Sequence, residues 1–501
     1  MADSLFLGLD VGTSGVKAIL VSQSGEVAAT ATTPLSLSTP RPGWAEQDPA
    51  AWWDATLASI HAVRRARPDA TVVSVGVSGQ MHSSVFLDKA GSVIRPALLW
   101  CDGRTTAECA EITAAVGGED RLRNLACNPA LEGFTLPKVL WLRKHEPEAY
   151  ARLATVMLPK DYIRYRLTGA IATDPSDASA TLMYDTANLR WSDEILKAVN
   201  VSRSIVPDVG GSSDVLGRIT AEAAAVTTLP AGTPVVGGGA DNACGAAGVG
   251  VVTPGEVVSS WGTSGTVLAP MMEPRVDPKL RAHTFCHVVP GTWYMMGVVL
   301  SAGGAFSWYR DQFARGMDSR TADRKLDEEA ASVRAGSGGV TFLPYLQGER
   351  TPHRDAAARG AFLGLSLAHT RAHATRAVLE GITFALRDSL TILQDLGLSP
   401  SHLLLTGGGA KSPFLRRLQS EVFGLPITTV NREEGPAYGA ALLGAVGVGA
   451  FADVAAAARA TLTRAPLEHP EEGAHQAYGE PYARFRQSFP AARAELLSPD
   501  R

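Results

Sequence analysis

The chain has 501 residues, 45% of them hydrophobic and 19% charged, with 46 basic and 50 acidic residues and a net charge of −4. That length exceeds one ordinary hydrophobic core, so two large domains are expected, at 1–252 and 253–501. The near-balanced charge offers no basic footprint for nucleic acid and no polybasic membrane patch, and no run reaches the roughly 18 to 20 apolar residues of a membrane span.

The N-terminal MADSLFLGLDVG lacks the basic and cleavage features of a secretory signal. Cys101, Cys109, Cys127, Cys244 and Cys286 are scattered and form no CxxC pair. A reduced, cytoplasmic protein without structural zinc, acting on a small molecule, is the expectation. The short apolar runs Leu5 to Val11 and Val16 to Ser22 flank Gly12-Thr13-Ser14-Gly15, which reads as strand, turn, strand. This sets aside the Walker loop and the dinucleotide fingerprint, both of which pass from their glycines into a helix. A Gly-rich hairpin tip can still cradle phosphate through its N–H groups, with the Thr13 and Ser14 hydroxyls as further donors and Lys17 as a point charge. Asp10, just before the tip, suits a magnesium ion or its waters. For one such turn the plain β-turn is the stronger reading.

A third strand from Val27 to Leu35 follows a turn, and Asp48-Pro49 opens a helix carrying Trp53, Leu57 and Ile60 at helical spacing. The strand Val72 to Gly79 runs into Gln80-Met81-His82, where open α/β sheets bind ligands, although a lone Met or His is more often core or surface. A strand from Pro234 to Gly239 leads to Asp241-Asn242 at the start of a helix of small residues. There Asp241 reads either as a helix cap or as a general base, with Asn242 bonding a neighbouring hydroxyl.

The turn then recurs. Gly262-Thr263-Ser264-Gly265 stands 250 residues after the first copy, again between short runs, so the chain reads as two related halves that grip a polyphosphate from both sides. Trp308 is read as core, or as an aromatic bordering adenine, and Gly339 to His353 as a strand and a polar loop in which Glu349 and Arg350 form a structural ion pair. Thr370 to Leu396 is a long packed helix. The strand before Gly407 meets a glycine turn, then a helix with Ser412 as N-cap and Pro413 behind it, a turn suited to a nucleotide or its phosphates.

Both GTSG turns, GQMH, LLWCDGR, LPKDY, GGGADN, FLPYLQGERTPH, GGGAKSPF and GPAYGAALLG occur in this order along essentially the whole chain, which resembles the FGGY carbohydrate kinases and, among them, those acting on xylulose. The resemblance implies an α/β fold of two ribonuclease H-like, actin-like domains with a catalytic cleft between them. It implies ATP and Mg2+ as cofactors and phosphorylation of D-xylulose. Another ketose or polyol, or a silent actin-like sugar sensor, remains open at this stage, and a homodimer is compatible. Carried over by position, Asp241 matches the catalytic base and Asp10 the aspartate at magnesium. Met81, His82 and Asn242, together with Trp100, match the sugar side. Thr13, Ser14 and Lys17 match the first phosphate loop, Gly262, Thr263 and Ser264 the second, and Gly408, Gly409 and Ser412 the adenosine side. Cys101 and the segment Asn124–Glu132 depart from the pattern, and if either lines the sugar pocket the preferred ketose changes.

Overall fold

A computed structural model describes residues 4–315 and 318–495. Its first sheet begins with the antiparallel meander Ser4–Val11 (β1), Gly15–Ser22 (β2) and Val27–Pro34 (β3). Thr71–Gly79 (β4) runs parallel to β1. Val215–Arg218 (β5) lies antiparallel to Pro234–Val236 (β6), which is itself parallel to β4, and Gly239–Ala240 (β7) pairs with the end of β4.

The strand expected over Pro234 to Gly239 is therefore broken. Gly238 adopts φ 72°, a left-handed conformation that glycine tolerates, and redirects the chain so that β7 delivers Asp241 at the end of β4.

The second sheet repeats the plan. Val258–Trp261 (β8) and Gly265–Met271 (β9) form the second hairpin. His283–Cys286 (β10) and Trp293–Val299 (β11) continue it antiparallel beyond β9. On the other side Leu403–Gly407 (β12) is parallel to β8 and Ile427–Thr428 (β13) parallel to β12. Apart from the additional strands β5, β7 and β10, both sheets share one order and sense, β3-β2-β1-β4-β6 in the first and β11-β9-β8-β12-β13 in the second. The repeat in sequence is thus a repeat of architecture, two α/β lobes of ribonuclease H-like, actin-like build.

The two hairpins differ by one residue of register. Val11 pairs with Val16 in the first, whereas Trp261 pairs with Gly265 in the second, which leaves four and three residues at the respective tips.

Local rules set the helices. Pro49–Ala66 (α1) starts where Asp48 accepts the Ala50 N–H at 2.9 Å, and Trp53 and Ile60 bury its inner face. Asp241–Gly248 (α2) follows β7 directly. Gly303–Phe313 (α3) and the long, mostly buried Arg371–Asp395 (α4) flank the second sheet. Pro413–Phe423 (α5) is capped as its sequence requires, the Ser412 hydroxyl accepting Leu415 N–H at 3.2 Å.

Pro436–Gly447 (α6) comes late in the chain yet packs against the first sheet. A Cβ on Gly76 of β4 would lie 1.9 Å from the Ala440 carbonyl oxygen of this helix, and one on Gly439 would lie 1.9 Å from Cys244 O of α2. Helix α6 is therefore wedged between β4 and α2 at backbone contact. The edge of the second sheet is bonded to the first lobe in turn, through Cys286 N to Ser179 Oγ at 3.0 Å and Trp293 Nε1 to Thr186 O at 2.8 Å. Because a backbone carbonyl cannot rotate away as a side chain can, Gly76→Ala is expected to cost about 3 kcal/mol, read as a lower denaturant midpoint.

Candidate active site

The first tip is partly committed within its own lobe. The Thr13 hydroxyl donates to Gln80 Oε1 at 3.2 Å and accepts from Trp100 Nε1 at 3.0 Å, while Gln47 Nε2 donates to its carbonyl at 2.8 Å. Trp100, expected on the sugar side, is thus joined to the first GTSG tip. The Ser14 side chain is exposed, and among the described residues the Thr13 and Ser14 N–H groups make no backbone bond. At the second tip the carbonyls are the engaged groups, Gly262 O by Gly303 N at 2.8 Å and Thr263 O by Ala302 N and Gly304 N at 3.0 and 2.9 Å, which seats the tip on the start of α3. Trp308, farther along α3, is 38% exposed and edge-on to Phe313, so it is a surface residue and not core.

Asp10 and Asp241 are placed at the ends of β1 and β7, both next to the end of β4. Each keeps some surface open but lies deep enough for desolvation to dominate. Burial, opposed by the cross-strand Lys17, raises Asp10 to about 6. Burial, reinforced by the negative charge of Asp10, raises Asp241 to about 7. Asp241 is the first residue of α2 and not its cap; its Oδ1 accepts Asn242 N at 2.8 Å and Asn242 Nδ2 at 3.0 Å. Asn242 Nδ2 in turn lies 3.4 Å from Met81 Sδ, which also receives Tyr294 OH at 3.7 Å. Met81 is only 3% exposed, so it braces Asn242 from below.

Beneath this lies a charge cluster that motif reading passed over. Lys160 Nζ sits 2.6 Å from Asp161, 3.0 Å from Asp174 and 3.3 Å from Asp177, all of them buried. Asp174 Oδ2 accepts Ser176 Oγ at 2.6 Å, and Ser176 Oγ accepts the N–H of Ala240, the residue before Asp241, at 2.9 Å. Burial opposes the Lys160 charge, but the three carboxylates prevail and raise its pKa. Among the described residues Asp177 has no hydrogen-bond partner for either oxygen; burial raises its pKa well above the usual range, Lys160 opposes the rise, and Asp161, Asp174 and Asp241 add to it. LPKDY carried a signal for this cluster, but Asp174 and Asp177 look like ordinary helix-start residues until their burial is known.

On the far side of Met81, the His82 Nδ1 stands 2.6 Å from Ala180 O, so the ring carries its proton there and presents Nε2 as an acceptor. Burial pushes its pKa down to about 3, which keeps it neutral, and its ring packs on Phe134 at 4.6 Å. His82 has φ 66°, a conformation held by Thr135 Oγ1 on its carbonyl at 2.9 Å and by Lys138. Lys138, also missed in the sequence, bonds the carbonyls of His82, Gly133 and Phe134, and burial lowers its pKa to about 7. Of the departing segments, Cys101 is exposed, while Asn128 is buried and tied to the second lobe through Thr284 O at 2.7 Å and His283 Nδ1 at 2.9 Å.

Glu349 and Arg350 form no ion pair. Glu349 is 2% exposed and burial raises it to about 8, so it is neutral and spends one oxygen on the N–H groups of Arg350 and Leu300 at 2.6 and 3.3 Å.

A cavity of about 900 Å³ is lined by Asp241 and Asn242 and also by Gly407, Gly408 and Lys411, so it joins the candidate base to the glycine turn. Ser260 and Thr266 of the second hairpin line it too; the two GTSG tips do not. Gly409 lies outside this lining, backed against Trp261, and the Ser412 hydroxyl is occupied by Asp327 at 2.5 Å and by its capping bond.

Two lobes of one design, with a poised carboxylate and a glycine turn opening on one cavity, are the framework of a phosphotransferase. The model for the N-terminal domain of the FGGY family of carbohydrate kinases matches residues 5–248, and that for the C-terminal domain residues 257–448. The chain belongs to the FGGY family of carbohydrate kinases. It is 41% identical to a xylulose kinase of Lactococcus lactis over 91% of this chain and 90% of the relative. It is 38% identical to the xylulose kinase of Escherichia coli over 98% and 99%. The crystal structure of xylulose kinase from Rhodospirillum rubrum superposes with a TM-score of 0.90 at 32% identity, covering 98% of this chain and 99% of that one. No helix among the described residues is long and apolar enough to cross a membrane.

Removing Lys160 takes the cation from Asp174 and Asp177 and leaves Asp161 with Arg164 at 3.5 Å. Lys160→Met is expected to cost about 3 to 5 kcal/mol near neutral pH. Because the penalty falls chiefly on Asp177, whose pKa burial raises, it exists above the unfolded aspartate pKa and eases as falling pH protonates that group. Denaturant midpoints at about pH 8 and about pH 5 should therefore show a larger deficit at the higher pH.

Proposed function

We propose that the protein transfers the γ-phosphoryl group of ATP to the 5-hydroxyl of D-xylulose, giving xylulose 5-phosphate and ADP. The observation that carries this reading is Asp241, raised to about 7 and opening on the cavity that also holds the Gly407–Lys411 turn. The names of its relatives supply the sugar. Ionised Asp241 orients the 5-hydroxyl and takes its proton as the oxygen–phosphorus bond forms, while the bond from the γ-phosphorus to the ADP oxygen breaks. A carboxylate is adequate as base because the transition state is loose and positioning and charge neutralisation dominate. Asn242 fixes the Asp241 carboxylate, and His82 Nε2 accepts a hydrogen bond from a sugar hydroxyl.

Asp10 would hold Mg2+ or its waters. Its Oδ1 is buried without a partner, which suits a cation, and a magnesium ion takes few protein ligands. When bound, the ion supplies charge neutralisation at the phosphates. Lys17 and the free N–H groups of both tips add to this, with Gly408 and Lys411 on the adenosine side; Ser412 acts there through the cap of α5. The five unpaired cysteines fit a reducing cytoplasm.

ADP release measured over D-xylulose, L-xylulose, ribulose, a deoxyketose and xylitol should show turnover with D-xylulose well above the others. Preference for another sugar in that panel overturns the substrate. Asp241→Ala should lower kcat by about 10²- to 10⁴-fold with ATP binding nearly intact, and near-native turnover would remove Asp241 from its role.

A further inference from the structure

Arg350 is rooted in one lobe and points into the other. Its N–H is held by Glu349, and the next residue is fixed to the second lobe by Thr351 N to Val298 O at 3.0 Å and Thr351 Oγ1 to Arg281 O at 2.8 Å. The side chain nonetheless reaches the first lobe. A Cβ built on Gly133 would be 3.1 Å from Arg350 Nη2 and 2.9 Å from Trp100 O, which puts guanidinium and carbonyl within about 6 Å of each other. Its charge is felt at His82, at His283 and at Lys138, and lowers the pKa of each.

That guanidinium makes no hydrogen bond and no ion pair with any described residue. Glu132 and Glu349 attract it only at a distance, and desolvation holds its pKa below the usual arginine value. An arginine offers five donors in a rigid planar fork, and leaving them unmatched in a partly dry site is costly. Its surroundings supply the complementary groups for a polyol: the Nε2 acceptor of His82 and the Trp100 carbonyl on one lobe, and the fork on the other. A ligand oxygen with free lone pairs is the group this fork is shaped to bind.

We propose that Arg350 is a sugar-binding residue delivered across the cleft by the second lobe, its guanidinium donating to the oxygens at the ketone end of the substrate. The assignment rests on the reading of Asp241 as holder of the hydroxyl that is phosphorylated, which leaves the opposite end of the sugar for His82 and Arg350. Because His82 and Trp100 belong to the first lobe and Arg350 to the second, an occupied sugar site bridges the lobes. Sugar binding then favours the closed arrangement that excludes water from the phosphoryl group.

The test is Arg350→Met, with Arg350→Lys beside it, assayed by steady-state kinetics on D-xylulose and xylitol. For Arg350→Met the KM for D-xylulose is expected to rise at least about tenfold, with the KM for ATP within about twofold of wild type. The preference for D-xylulose over xylitol, which lacks the ketone, is expected to fall, and Arg350→Lys to recover part of the loss. The thermal midpoint should stay level or rise, because the substitution removes a desolvated and unpartnered charge. An unchanged sugar KM, an equal rise for both substrates, or a clear drop in stability would each overturn the assignment. Failure of the underlying reading looks different: wild-type enzyme would then turn over no ketose, or Asp241→Ala would retain activity.

Discussion

Two carboxylates that cannot both ionise freely dominate the centre of this molecule. Asp10, near the end of β1, and Asp241, directly after β7, flank the same end of β4 from opposite sides, and each is withdrawn from water. Burial, with the charge of Asp10 added, raises Asp241 to about 7, a range in which a carboxylate can exchange protons at physiological pH. Much of the surrounding structure keeps this arrangement from relaxing. Helix α6 presses on β4 and α2 at backbone contact, Lys160 and its aspartates hold Ala240 through Ser176, and Met81 supports Asn242. A cation beside Asp10 would weaken the repulsion felt at Asp241.

The duplicated fold does not make the two halves equivalent. Position for position, Asp10 and Lys17 of the first hairpin correspond to Ser260 and Val267 of the second, and the one-residue difference in register reorients the side chains near the second tip. Of the two copies, only the first therefore carries this Asp–Lys pair. The second copy carries its glycine tip on α3 and lines the cavity with Ser260 and Thr266. The halves thus differ in charge at matching positions while sharing one sheet order.

Most of the strands, the two hairpin turns and the two caps at Asp48 and Ser412 were legible because each depends on neighbours in sequence, while the break at Gly238 was not. Motif order led to the family, and Asp241, Asn242 and Gly408 do meet at one cavity. The misses share a cause, which is burial decided by distant parts of the chain. Glu349 and Arg350 look like a surface pair until the carboxyl is seen to be dry and turned to backbone N–H groups. Trp308 looks like core until α3 is seen to present it outward. Lys138 and Lys160 are two lysines among many until three carbonyls surround one and three carboxylates the other. Ser412 is a correct cap whose hydroxyl Asp327 then claims.

The central claim is that Asp241 is a near-neutral carboxyl because it is desolvated opposite Asp10. Titration of Asp241 in the ligand-free protein, followed by infrared difference spectroscopy against Asp241→Asn, tests it without metal or nucleotide in the way. The account predicts a midpoint near 7 in the wild type and a lower one in Asp10→Asn, where the repelling charge is gone. A midpoint in the ordinary aspartate range near about 4, unmoved by Asp10→Asn, would contradict it.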